Sequence, residues 1–182
     1  MAAIVNLNEQ RRQMAARRGF QSWEHRFGET YTDQTCLRDV SDAALKELSR
    51  GGPDGSMPLY DCIMGVLGLG LGPRFYYLEN KERLLVMDIA LFLLDNLRFQ
   101  AMRRMGWLDD WPLFHVPIVD LILEFSTKYV SMQHWTPTMA ATHPAYVDYM
   151  ETYETDRGSF IRRLIPQALE EFGNPSEESP PE

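Results

Sequence analysis

Eleven consecutive residues, Leu84 to Leu94, read LLVMDIALFLL and are interrupted by charge only at Asp88. A helix that is hydrophobic nearly all round must be covered on most of its surface, and the run does not alternate as a half-buried strand would. It is shorter than the roughly 20 residues that span a bilayer, and charged residues flank it. The run therefore belongs inside a packed domain. Asn80 offers a cap upstream, Lys81, Glu82 and Arg83 lead in, and the pattern continues as far as Met105. A helix over about 78–105 would reach roughly 42 Å and form the spine of the domain.

The remaining sequence reads as further helices around that spine. Residues 8–20 start one at Asn8. Ser41 caps a helix from Asp42 to Ser49, which Gly51 and Gly52 end. The stretch GGPDGSMP reads as a loop, after which Ser56 caps a helix that takes Pro58 in its first turn and stops by Gly70 to Pro73. Pro112 and Pro117 bracket a break before VPIVDLILEFSTKYVSM, a helix from about Val116. Thr136-Pro137 opens a loop, Thr142 caps a helix through Tyr153, and a last helix runs from Asp156 to Phe172 with a bend at Pro166. No segment alternates between hairpin turns, so a sheet is not expected. The expected class is all-α, an irregular bundle of five to seven helices around the long central one, in a chain whose length suits one core. The expected division is an N-terminal helical arm with a basic start (1–40), a helical core (41–172) and an acidic Pro/Ser/Glu flexible tail (173–182) with few apolar groups to offset its ordering entropy.

Charge is unevenly placed. The chain carries 18 Lys+Arg against 26 Asp+Glu, a net of −8. Its first twenty residues hold four Arg and one Glu, a net of +3, and residues 170–182 hold five Glu and no cation. An acidic pI near 5.0 argues against a surface given over to nucleic acid. Cys36 and Cys62 lack CxxC or zinc-type spacing and read as reduced thiols. The start holds no secretory apolar region, so the expectation is a soluble cytoplasmic protein with no transmembrane segment.

No catalytic signature emerges. Gly65, Gly68, Gly70 and Gly72 follow a helix rather than a strand and precede Pro73, which suits close helix packing and helix termination better than phosphate binding. Asp88 and Asp95 are seven residues apart on one helical face, with Arg98 placed to pair with Asp95. Asp120, Glu124 and Lys128 form a similar stripe, with Glu124 and Lys128 in the favourable i,i+4 order. Desolvated, such carboxylates become acid or base candidates, and His115 lies nearest the helix junction. No histidine follows a carboxylate at the i,i+3 spacing of helical di-metal sites, so neither metal nor cofactor is expected.

The binding candidates are aromatic and basic. Trp107 and Trp111 flank Asp109 and Asp110 in a loop, and Tyr146, Tyr149 and Tyr153 recur at helical spacing as a packing stripe. Arg11, Arg12, Arg17 and Arg18 form the basic start. The leading functional expectation is a helical protein that acts through protein–protein contact, as a homo-oligomer or adaptor, because the spine needs cover. The alternative is a helical enzyme or small-ligand binder with Asp88, Asp95, Asp120, Glu124 and His115 beside the spine. A third is a nucleic-acid-associated regulator using the N-terminal arginines, which acidity and the lack of interleaved aromatics disfavour.

Overall fold

The computed structural model describes residues 6–174, so part of the expected acidic stretch, residues 175–182, lies outside the described residues. The fold is all-α. Among the described residues there are eight α-helical segments and no strand, only isolated bridges at Cys36–Pro117 and Leu108–Met139. The helices are α1 (Leu7–Phe27), α2 (Asp42–Arg50), α3 (Gly52–Leu67), α4 (Asn80–Arg104), α5 (Ile118–Leu123), α6 (Tyr146–Glu151), α7 (Arg157–Arg163) and α8 (Ile165–Gly173). None of them is long and apolar enough to cross a membrane.

The long helix α4 is the spine, packed by α2, α3 and α8, with α1 laid along the outer side of α3. Its inner face buries Val86, Ile89, Phe92, Leu93, Leu97, Phe99 and Met102. Phe20 and Trp23 of α1 belong to the same buried cluster. Phe20 stacks on Tyr31 at 5.3 Å, Trp23 meets the same ring edge-on at 5.6 Å, and the Trp23 indole N–H donates to the Pro58 carbonyl at 2.9 Å.

Two glycines set how α1 meets α3. A Cβ on Gly65 would lie 2.6 Å from the Arg18 carbonyl oxygen, and one on Gly19 would lie 2.5 Å from a Val66 methyl. The backbones therefore touch, as the expected close approach through Gly65 requires. Gly68 acts differently. With φ 72° it ends α3, donating its N–H to Gly65 while Leu69 donates to Met64. Gly72 lies beyond the helix, where its N–H donates to Asp61, so these glycines do not share one helix face.

Some boundaries differ from expectation. Ser41 caps α2, and Gly51 follows its last residue. The GGPDGSMP stretch is helical, because α3 starts at Gly52 with a proline in its first turn, and Ser56 is not its cap. Pro58 then sits inside the helix; the Asp54 carbonyl that its missing N–H would have bonded accepts from Arg26 instead. Asn80 is the first residue of α4 and Glu79 occupies the cap position. The helix expected from Val116 stops at Leu123 and continues as a π turn over Phe125–Tyr129, where both rings lie against Phe92. Thr142 caps nothing: a turn through His143 precedes α6, which ends at Glu151. The last helix is divided at Leu164, with Pro166 in the first turn of α8.

Candidate interaction surfaces

The spine is not enclosed along its whole length. On the N-terminal half of α4, Leu84, Met87 and Leu91 are 61%, 42% and 63% exposed. Their i, i+3, i+7 spacing puts them on one strip. No helix among the described residues covers that side. Beside the strip, Leu59 and Tyr60 of α3 with Met87, Ala90, Leu91 and Leu94 line a small, mostly apolar cavity of about 110 Å³, bordered also by Ser56. The Tyr60 ring packs 4.9 Å from Phe75, which in turn meets Tyr76 at 5.6 Å, and Tyr76 and Met57 are exposed. The apolar surface thus runs from α4 across α3 to the short helical turn after it. Burial raises the Tyr60 hydroxyl above its usual range, which keeps it neutral there.

The candidate acid and base groups are dispersed. Asp88 sits exposed on α4, between Met87 and the covered face. Asp95 accepts from Arg162 of α7 at 3.2 Å, and that guanidinium also lies 5.7 Å from the Phe99 ring centre. The expected Asp95–Arg98 pair is not formed. Arg98 instead donates to the Ser49 and Arg50 carbonyls at the end of α2, where a guanidinium satisfies orphan acceptors that no helix turn can reach. Burial there lowers the Arg98 pKa, against a smaller upward pull from Asp95.

Asp120 of α5 is gripped by Arg12 of α1, which also reaches Asp33. Asp120 raises the Arg12 pKa, chiefly through the hydrogen bonds, over a smaller opposing effect of burial. Glu124 pairs with Lys128 at 2.6 Å, the i,i+4 contact expected from sequence. The His115 ring bonds to none of these groups. One ring nitrogen lies 2.9 Å from Arg38 Nη1 and the other 2.7 Å from Asp110. Since Arg38 can only donate, the imidazole must accept at Nδ1 and donate from Nε2. That donation, foremost, holds the Asp110 carboxyl below the usual range. Among the described residues no group of three or more His, Cys, Asp or Glu side chains is arranged to hold a metal ion.

The aromatic candidates are mostly packing groups. Trp107 meets the His143 ring edge-on at 4.8 Å, and its carbonyl accepts from Ala140. Trp111 is half-buried, with an indole N–H that is enclosed and makes no hydrogen bond among the described residues. Tyr146 and Tyr149 lie 6.3 Å apart, and Tyr149 is buried beneath Arg157. Tyr153 does not continue the packing stripe, because α6 has already ended and its side chain is exposed.

The four N-terminal arginines play three roles. Arg12 clamps α5. Arg18 donates from Nε to the Gly65 carbonyl at 2.9 Å and from Nη2 to Val66 at 3.4 Å, closing the end of α3. Arg11 and Arg17 are exposed and make no ion pair among the described residues. Sequence reasoning missed the exposed Leu7 and Met14 on the same helix, and Arg74, which with Arg18 lines a pocket of about 540 Å³ beside Gly68 and Gly70. The signal along α1 was the spacing of Leu7, Arg11, Met14 and Arg18 by four, three and four. Comparisons of the chain with protein-family models, curated proteins and solved structures give no match.

Proposed function

We propose that this protein acts through protein–protein contact and that the uncovered strip of α4 is the contact surface. The observation that carries the reading is the exposure of Leu84, Met87 and Leu91 on a helix whose opposite face is core. Contiguous exposed apolar surface of this kind marks interaction sites in soluble proteins. A second copy of the chain is the occupant best matched to it. In a two-fold, antiparallel pairing of α4 with α4, Leu84 of one protomer faces Leu91 of the other and Met87 lies near the axis, so one strip supplies both halves of an isologous seam.

The alternative of a carboxylate-based enzyme or ligand site draws less support. Asp95, Asp120 and Glu124 are each engaged by a different cation, and Asp88 is solvated. A nucleic-acid role is likewise weakened, since Arg12 is neutralised by two carboxylates and Arg18 is turned to backbone carbonyls. The test is light scattering of the full chain between about 5 and about 200 μM, where mass action should raise the dimer fraction. Leu84→Glu combined with Leu91→Glu should remain monomeric with unchanged helical circular dichroism. A wild-type chain that stays monomeric throughout the range would overturn the self-pairing.

A further inference from the structure

A second surface, separate from the α4 strip, runs along α1. Leu7, Arg11, Met14, Arg18 and Gln21 are spaced by four, three, four and three, which is the seam of a heptad pattern. Leu7, Arg11, Met14 and Arg18 are all exposed. Two open grooves adjoin this seam and share Arg18. One, of about 750 Å³, is bordered by Arg11, Met14, Val66, Leu67 and Leu123. The other, of about 540 Å³, is bordered by Gln21, Leu69, Leu71, Arg74 and Tyr77. The two meet at Arg18 as a channel beside α1, against the end of α3 and the residues that follow it, with Leu67, Leu69 and Leu71 in its apolar lining and Asp120 and Glu124 at its polar edge.

Its unpaired charges are cationic. Arg11, Arg18 and Arg74 have no carboxylate within ion-pair distance among the described residues. The carboxylates at the channel edge are already engaged, Asp120 by Arg12 and Glu124 by Lys128. Asp61, behind Gly72, accepts from the Gly72 N–H and from Ser22. In a chain of net charge −8, the unengaged guanidinium groups of Arg11 and Arg74 thus face the channel, with Arg18 between them bonded to the Gly65 and Val66 carbonyls but paired with no carboxylate.

We infer that this channel docks an acidic amphipathic helix of a partner protein. The apolar positions Leu7 and Met14 alternate with Arg11 and Arg18 along the seam, so the complementary helix has apolar residues at one seam position and Asp or Glu at the other. From Leu7 to Gln21 the seam is about 21 Å long, room for about four turns of partner helix. The apolar lining favours this occupant over a nucleic acid, whose phosphates would leave Met14, Leu69 and Leu71 unmatched.

The test uses the full chain and a fluorescein-labelled synthetic helix of about three heptads, with Leu at one seam position, Glu at the other and Glu on the flanks. Fluorescence anisotropy should show saturable binding that weakens roughly tenfold or more between about 50 and about 300 mM NaCl. Arg11→Glu with Arg74→Glu should abolish it and leave the circular dichroism unchanged, since neither guanidinium makes a hydrogen bond among the described residues. Met14→Glu should weaken binding, and so should replacing every Leu of the peptide by Ser. Leu84→Glu with Leu91→Glu should bind the peptide as wild type does, which keeps the channel distinct from the self-pairing strip. The proposal is overturned if the wild type does not bind, if the Leu-free peptide binds equally well, or if a single-stranded RNA of equal charge binds more tightly.

Discussion

Arg12 holds Asp120 with two parallel hydrogen bonds, Nε to Oδ1 at 2.8 Å and Nη2 to Oδ2 at 2.9 Å, across 108 residues of sequence. The same guanidinium bonds the Asp33 carbonyl and carboxylate, so one side chain joins α1, the segment after it and α5. Asp120→Asn should cost about 1–2 kcal/mol, a figure discounted for solvent screening because the two side chains are 26% and 21% exposed. Arg12→Lys should recover only part of the wild-type stability, since an ammonium cannot make the fork. Chemical denaturation of both single variants and the double variant gives the coupling energy, which should be clearly different from zero.

Gly65 tolerates no side chain. A methyl there would lie under 3 Å from the Arg18 carbonyl and the Gly19 Cα, and these are backbone atoms that cannot rotate away. Gly65→Ala should destabilise by about 2–4 kcal/mol despite the better helix propensity of alanine. A thermal melt is enough to check this, and a melting temperature equal to the wild type would show that the helices separate easily.

Gln100 is fully buried on α4 and neither its amide nitrogen nor its oxygen has a hydrogen-bond partner among the described residues. Asn96, one turn earlier, donates to the Phe92 carbonyl but leaves its own oxygen unpaired. Gln100→Met keeps the shape and removes the desolvated amide, so it should stabilise by about 1–3 kcal/mol. For a chain of this size that is a rise in melting temperature of a few degrees, roughly 2–4 °C per kcal/mol.

His143 should make stability depend on mild acid. Burial holds its imidazole below the ordinary 6.5, outweighing the opposite pull of Glu171. The unfolded chain therefore takes up the proton before the folded one does. Stability is complete above pH 6.5 and declines as pH falls towards the lower folded-state value. His143→Asn preserves an acceptor for the Ala145 N–H and should flatten the decline in melts recorded from pH 7.5 to about 5.

Features decided within a few residues were legible in the sequence. Ser41 and Gly51 bound α2, the apolar run from Leu84 identified the spine, and Glu124 reaches Lys128 one turn away. What depended on distant partners was not. Arg98 stands three residues after Asp95, yet the carbonyls closing α2 outcompete that carboxylate, and Asp95 turns to Arg162. The helical start of GGPDGSMP was obscured because its glycines and prolines usually signal a turn, whereas here Arg26, distant in sequence, satisfies the Asp54 carbonyl that Pro58 leaves without a donor. Of the candidate surfaces, the need to cover α4 could be read in advance. Which side stayed bare could not, because that depends on how α2, α3 and α8 are arranged around it.

The backbone crossing at Gly19 and Gly65 bears on how the molecule opens. Because the two helices meet without intervening side chains, α1 cannot lift slightly from α3; it either stays in contact or uncovers Phe20, Trp23 and Ile63 together. Partial fraying between them is thereby suppressed. The central amides of α1 and α3 should exchange with solvent at one common rate, as a single cooperative unit spanning both helices.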